Sequence, residues 1–319
     1  MSKRSAVVSS PNKESTTLNT FFKDEYHKEV LNKSADVPEM TPDFPIELSE
    51  VGISEKTVWI NLPYGRIPFE VEITTNLSGD FKGIHMSRIE KIIADLYEKD
   101  FNDIKEYGFI LAKTVLDNQN GTQAKVFLNG KVPYISKTLI SKKDSIDNIE
   151  LTYEVIYKKE SHNLYVSKLG LKVFHITACP CTQEYNKALF KEGNNKLLPT
   201  HSQRCITSLV IEDKRGCITY DDLLNCFKGP LHLIQDLLKR PDEAELVLAC
   251  HNRPQFAEDV VRQLAFEITK RLKDKITDDA IIEISSKSFE SIHIHNVICR
   301  LKNNFKGLKK TLNRISDKT

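Results

Sequence analysis

The sequence predicts an α+β protein made of two antiparallel-sheet units, each with a pair of helices packed on one face. Three observations carry this. β-prone runs bracket helical-period segments in nearly the same order in both halves, the helical segments space apolar residues three and four apart, and strand runs such as 152–157 favour apolar and aromatic residues on one face. At 319 residues the chain can bury one large core or two modest ones. No sequence self-similarity accompanies the repeat, so it is one of architecture only.

In the first half, 57–62 and 67–73 read as strands joined by a Pro63-Tyr64-Gly65-Arg66 turn, and Pro68, which cannot donate to a ladder, places the second run's start at an edge or bulge. Ile89, Ile92, Ile93 and Leu96 recur at helical spacing behind Ser87, placed as N-cap with Glu90 completing a capping box. A second helix spans 101–115, and strands follow at 124–128, 149–158 and 164–177. The second half reads as a strand at 206–211, helices at 220–238 and 254–272, and strands at 281–285 and 292–300. Phe256, Val260, Leu264, Ile268 and Leu272, four apart, form a buried stripe on the last helix. On this reading 1–45 is a mobile arm without chemistry, of which 36–45 could lie pinned along a subunit surface. Residues 46–180 and 181–300 form the two units, and 301–319 a basic tail.

Charged residues at 28% and apolar ones at 40% suit a globular protein. Basic residues number 46 against 44 acidic, a net charge of +2, so no global field draws the chain to nucleic acid, although Lys302, Lys306, Lys309 and Lys310 form a local basic patch. Seven cysteines, an odd number and all from Cys179 onward, favour a reducing compartment over a disulfide scaffold. No apolar stretch follows Met1-Ser2-Lys3-Arg4 and no apolar run reaches the roughly 18 residues of a membrane span. The expected location is the cytoplasm, with no membrane partner.

Chemistry-bearing residues gather in a few short stretches. In Cys179-Pro180-Cys181 one intervening residue is too few for both sulfurs to chelate one tetrahedral ion comfortably, so Cys179 is chosen as the ligand, with two structural cysteines as the alternative. His201, Gln203 and Arg204 offer a proton shuttle, an amide and an anion clamp, or an ordinary surface turn. In 291–295 a period of two puts His293 and His295 on one face of a strand, for metal or acid–base duty, with Glu290 available to hold a second ring nitrogen. Glu243 falls in a proline-stiffened turn just beyond a helix, and Glu258 in the first turns of the helix opened by Pro254; read alone, each is structural. His85 and Arg88 stand at a helix start after Gly79 and Gly83, a ready anion site that lacks the GxxxxGK[ST] order of a phosphate loop. A metal-assisted enzyme is the first reading; a structural zinc protein or metabolite-binding module is the non-enzymatic alternative. Thiol redox chemistry is disfavoured, because a one-residue gap strains an intramolecular disulfide.

Taken together, 83–88, 178–181, 200–204, 240–243, 254–262 and 289–293 resemble the type IB GTP cyclohydrolase family, in consistent order over about 36–300. The related archaeal GTP cyclohydrolase, which makes a dihydroneopterin cyclic phosphate, shares much of the pattern. The resemblance implies a tunnelling fold (T-fold), with two strand–strand–helix–helix–strand–strand units per chain and subunits assembling into barrels as a homo-oligomer, taken as a tetramer, with active sites between subunits. It implies a divalent ion, zinc, manganese or iron, surrounded by Cys179, Glu243 and His293, with His295 as alternate ligand. His201 would transfer protons, Glu258 would anchor the guanine edge, His85 and Arg88 would fall near the nucleotide, and Arg204 would meet its phosphates.

The activity expected is that of GTP cyclohydrolase I, the first step of folate and pterin synthesis. Hydrolytic opening of the guanine imidazole ring of GTP would release formate, and the product would cyclise to 7,8-dihydroneopterin triphosphate. The alternative is the same ring opening ending in 7,8-dihydroneopterin 2',3'-cyclic phosphate. The long stretch between Cys181 and His201 leans toward that archaeal arrangement, while Ser202 stands where the family pattern expects asparagine.

Overall fold

A computed structural model describes residues 21–159, 165–190 and 198–316. The first 20 residues of the expected arm, most of the later part of the stretch between Cys181 and His201, and the end of the basic tail lie outside the described residues.

The strands are longer than their β-prone cores and form one sheet where two were expected. β1 (Leu48–Leu62), β2 (Gly65–Leu77), β3 (Gln123–Lys137), β4 (Asp144–Lys158), β5 (Tyr165–Ala178), β6 (Ser202–Glu212), β8 (Ile281–Ser288) and β9 (Val297–Asn304) pair in that order, all antiparallel, and the short β7 (His232–Leu233) pairs with β5. The join is the β4–β5 ladder, from Glu150↔Lys172 to Tyr157↔Tyr165. Two sheets would each leave an inner edge of unpaired N–H and C=O groups, and pairing those edges removes them. By strand order β5 opens the second half, but the expected helix pair is not repeated there: β1-β2, two helices and β3-β4 are followed by β5, a helix, β6, three helices interrupted by the short β7, and β8-β9.

The β1–β2 turn closes Leu62 against Gly65, whose φ of 128° a side chain would resist. β2 is central rather than an edge, yet Pro68 breaks no ladder, because pairing with β3 begins at Phe69 and Pro68 faces only Trp59 of β1. α2 (Met86–Leu96) has His85 at its N-cap with no side-chain capping bond, so the expected Ser87 capping box does not form. α3 (Ile104–Asp117) is capped by Asp103, which accepts from Glu106 N–H. Gly108 lets α3 lie close on the sheet, since a Cβ there would stand 2.7 Å from the Tyr153 ring.

In the second half the expected helix at 220–238 stops early, as α5 (Tyr220–Phe227), because Gly229 and Pro230 end it before β7. α6 (Arg240–Asn252) and α7 (Ala257–Arg271) follow. Val260, Leu264, Ile268 and Leu272 of the expected stripe are buried, whereas Phe256 caps α7 and stays 42% exposed. The described part of the expected basic tail belongs to the fold: Lys302 lies in β9, and α8 (Phe305–Ser316) buries Phe305 and Leu308 while Lys309 pairs with Asp278. In the arm, α1 (Asp24–Lys33) buries nothing, but Val37–Glu39 forms a 3-10 turn fastened by bonds from Lys82 N–H to the carbonyls of Pro38 and Met40.

One core runs through both units, with Phe69, Tyr107 and Tyr153 in the first and Phe227, Leu264 and Phe305 in the second. Each such side chain contributes about 1.5–3 kcal/mol by leaving water. A polar tie joins α3 to the connection between β6 and α5. Lys105 of α3 donates to the fully buried Asp213 carboxylate at 3.2 Å and to the carbonyls of Gly216 and Ile218 at 2.8 and 2.7 Å. Lys105→Ala strands that carboxylate, and the expected loss of unfolding free energy is about 3 kcal/mol, read by chemical denaturation. A loss under about 0.5 kcal/mol, the size of an ordinary surface change, would show the tie to be dispensable.

Candidate active site

Three strand ends and one helix start converge at one end of the β5–β6–β8 sheet. β5 stops at Ala178 because Pro180 opens α4 (Pro180–Phe190), leaving Cys179 at the junction. Backbone bonds stitch the pieces together: Cys179 N–H to His201 O (2.9 Å), Gln255 N–H at the entry of α7 to Ala178 O (3.1 Å), and Phe289 N–H beyond β8 to Arg204 O (2.9 Å). Ala178 pairs with Ser202 and Cys205 with Ser288, so the β5 exit, the β6 entry and the β8 exit share one end of the sheet.

The result is a cavity of about 310 Å³ lined by Cys179, His201, Gln203, Phe256, Ala257, Glu258, Ser288, Glu290, His293, His295 and Val297. His201 and His293 stand edge to face with ring centres 6.4 Å apart, and His293 stacks on His295 at 5.2 Å. Ser291 Oγ lies 3.4 Å from His201 Nδ1, Thr182 Oγ1 donates to Cys179 Sγ at 3.8 Å, and Ser288 Oγ donates to Glu290 at 2.7 Å. The buried Oε1 of Gln203 has no partner among the described residues, an acceptor of the kind a ligand N–H satisfies. Sequence reasoning missed Ser288 and the wall formed by Phe256. The sequence reading put Phe256 in the buried stripe, and only the start of α7 at Ala257 frees its ring for the cavity wall.

Cys179, His201, Glu258, His293 and His295 are thus brought together. The two histidines are not on a strand as expected: residues 289–296 form the β8–β9 connection, and their rings stack there without a ladder.

Four expected residues lie elsewhere in the chain. Glu243 is in the first turn of α6, exposed, rather than in a turn after a helix, and it does not line the cavity. Arg204 follows the inward Gln203 on β6 and so points to the other face, where it lies over Phe174 and Phe289 and lines a separate cavity of about 220 Å³. His85 Nε2 meets Glu39 at 2.7 Å and its Nδ1 stands 3.9 Å from Asp36, while Arg88 reaches the carbonyl of Asn118 and lies 4.0 Å from Glu39.

For a divalent ion the donor chemistry fits. The cavity offers a thiol, three imidazoles and carboxylates, the set that zinc, iron or manganese accepts. Cys179, Glu243 and His293 do not close around one point within a single chain. Among the described residues the group of three whose ligand atoms lie within 4.8 Å of one another is Asp36, Glu39 and His85, which could hold a divalent ion. There, however, the two carboxylates sit at opposite ring nitrogens of His85, and the Arg88 guanidinium already neutralises part of their charge.

Behind the cavity a polar row crosses the sheet. His175 Nε2 meets Thr207 Oγ1 at 2.8 Å, Thr207 donates to Ser286 at 2.9 Å, and Thr177 Oγ1 contacts Cys205 Sγ at 3.3 Å. Burial pushes the thiols of Cys205, Cys226 and Cys250 up, the last two to about 12 and about 11, and so keeps them inert.

The chain belongs to the family described as Type I GTP cyclohydrolase folE2, whose pattern matches residues 35–299, and is therefore an enzyme of the GTP cyclohydrolase class. It is 32% identical to "GTP cyclohydrolase MptA" of Thermoplasma volcanium over 87% of this chain and 98% of that one. It is 29% identical to the MptA of Thermoplasma acidophilum (83% and 94%) and 26% identical to that of Methanobrevibacter smithii (87% and 97%). These relatives are of the archaeal type, and they overturn the expectation of a triphosphate product: the similarity backs the cyclic-phosphate alternative. Among solved structures, uricase from Arthrobacter globiformis aligns over 80% of this chain and 93% of its own at a TM-score of 0.47 and 9% identity, a likeness too slight to argue from. No helix among the described residues is long and apolar enough to cross a membrane.

His175 gives the site a pH signature. Burial, against a weaker raising bond, holds its pKa down to about 4 from 6.5. Between those values the unfolded chain binds a proton that the folded chain refuses, so stability is full above about 6.5 and falls by about 3 kcal/mol as pH drops to 4. Denaturant unfolding at about pH 7 and about pH 4.5 is expected to show most of this loss, and His175→Gln to lose that share of the slope. Identical slopes in the two proteins would refute it.

Proposed function

We infer that this enzyme opens the imidazole ring of GTP by hydrolysis with a divalent ion, releases C8 as formate, and closes the product to 7,8-dihydroneopterin 2',3'-cyclic phosphate. The observation that carries the reading is a single cavity holding one thiol, three imidazoles and the Glu258 carboxylate, in a chain whose relatives are archaeal-type cyclohydrolases.

Glu258 accepts from the two N–H groups of the guanine edge as a bidentate pair. Phe256 covers a face of the base, and the orphaned Gln203 oxygen takes a further donor. This orientation turns C8 toward the cysteine and histidines. His201, its ring steadied by Ser291, protonates the departing ring nitrogen and takes up a proton from the attacking water. Cys179 and His293, with His295 as the alternative, would hold the ion together with Glu243. Bound there, the ion supplies the Lewis acidity that makes water a nucleophile at neutral pH.

The cavity suits the base and ribose, and the triphosphate extends beyond it. Because Glu243, Arg204, His85 and Arg88 lie outside it in one chain, we take the site to be completed by a second copy. β1 and β9, which end the sheet without a further strand partner among the described residues, are the edges through which copies would close a tunnelling-fold barrel, as a tetramer in the cytoplasm. In the last step a ribose-derived oxygen bonds to the α-phosphorus, the α–β P–O bond breaks, and pyrophosphate leaves.

Incubating the full chain, purified without oxygen and reloaded with zinc, manganese or iron, with GTP should give pyrophosphate and a pterin with the mass of the cyclic monophosphate. A pterin that keeps three phosphates would overturn the product; no pterin with any ion would overturn the activity. Glu258→Gln, with one acceptor replaced by a donor, should raise KM for GTP by roughly 30-fold, about 2 kcal/mol. Steady-state kinetics giving an unchanged KM would remove Glu258 from base recognition.

A further inference from the structure

Glu243 stands on a helix that apolar packing does not hold. Of the thirteen residues of α6, only Asp242 and Cys250 are buried, so no apolar stripe sets the helix's direction. Hydrogen bonds do that work, from Gln183 Nε2 to the His251 carbonyl (2.7 Å) at the far end and through Asp242, 2% exposed, at the start. Its Oδ1 accepts from the backbone N–H groups of Ile140 (2.8 Å) and Ser141 (3.0 Å), and its Oδ2 from Ser141 Oγ (2.5 Å) and Lys239 N–H (3.1 Å). The first three donors lie about a hundred residues away, at the tip of the β3–β4 hairpin in the other unit.

That tip is rigid enough to serve as an anchor. Thr138 N–H donates to Lys143 O at 2.9 Å, Lys143 N–H donates to Thr138 Oγ1 at 3.0 Å, and Thr138 Oγ1 meets Ser141 Oγ at 2.7 Å. The segment leading into α6 is tied to the same hairpin lower down: Gln235 Nε2 donates to Ser136 Oγ (2.6 Å), Asp236 N–H to Asp147 (2.7 Å) and Leu237 N–H to Ser145 Oγ (3.1 Å). The start of α6 is thus fixed from one side by a polar clamp, and the residue after the clamp, Glu243, is left exposed.

We propose that Asp242 is a positioning residue: by clamping the first turn of α6 to the β3–β4 hairpin tip, it sets the direction in which Glu243 is presented to the active site of a neighbouring copy. This rests on the inferred role of Glu243. A carboxylate that must reach across an interface gains nothing from flexibility, and a buried neighbour holding its helix turn removes that freedom in advance.

The test uses the full chain in its metal-loaded form. Asp242→Asn replaces one acceptor oxygen by an N–H that faces donors. It should stay folded, speed amide exchange at 138–143 and in the first turn of α6, lower kcat for GTP by about 10- to 100-fold, and leave KM within about threefold. Ser141→Ala should move kcat and exchange the same way by less, and Ser141→Thr, which keeps the hydroxyl, should restore both. Glu243→Gln should lower kcat comparably with exchange unchanged. Loosened exchange with wild-type kcat in Asp242→Asn overturns the proposal and leaves the reading of the site standing. A fully active Glu243→Gln enzyme overturns both, since Asp242 would then have nothing to aim. If Asp242→Asn does not fold, the Ser141 pair decides by the same criteria.

Discussion

The site depends on the register of three antiparallel strands. Pairing of β5 with β6 and of β6 with β8 sets Ala178 opposite Ser202 and Cys205 opposite Ser288, so the residues that leave these strands emerge together. Because side chains alternate, a slip of one residue in either ladder would send the inward row of His175, Thr177, Gln203, Cys205 and Thr207 to the other face. The backbone bond from Gln255 to Ala178 then brings α7, with Glu258 in its first turn, to the same place. Cysteine, histidines and glutamate from distant parts of the sequence meet because the ladders end together.

The second unit has an unusually polar interior. The His175–Thr207–Ser286 row lies where a sheet of this kind would ordinarily bury valine or leucine, and each group finds a neighbour in the next strand. Rows of this sort favour one register over its alternatives, because a slipped strand would break these bonds, although His175 Nδ1 has no partner among the described residues even in this register. The same logic governs Asp213 and Asp242, buried carboxylates that each take donors from a distant segment, Lys105 for Asp213 and Ile140 with Ser141 for Asp242. Apolar burial makes the core, while these polar ties decide how the loops and the sparsely packed α6 sit on it.

Family membership and geometry bear on different questions. Similarity over residues 35–299 establishes the class of enzyme and moves the product toward the cyclic phosphate. The cavity supplies what similarity leaves out, namely which side chains share a space. The cysteine, three histidines and Glu258 share one; Arg204, Glu243, His85 and Arg88 do not. That division argues for a site completed across an interface.

Read alone, the sequence determined the α+β class, the ββααββ order of the first half, most of the stripe of α7 and the short stretches that carry the chemistry. All of these are written in local periodicity and residue type, which act over a few neighbours. Tertiary structure decided what depends on partners. It joined β4 to β5 into one sheet, because open edges are costly. It placed His293 and His295 in a connection, because the β8–β9 ladder closes at Ser288 and Val297. It turned Arg204 away from the cavity, because the inward side of β6 belongs to Gln203 and Cys205. It also set Glu243 on a helix, where local sequence suggested a turn, because the buried carboxylate of Asp242 folds back to the Lys239 N–H and stabilises the first turn of α6. Periodicity says that a strand has two faces, but the choice of which face meets the core is made by the strands and helices it packs against.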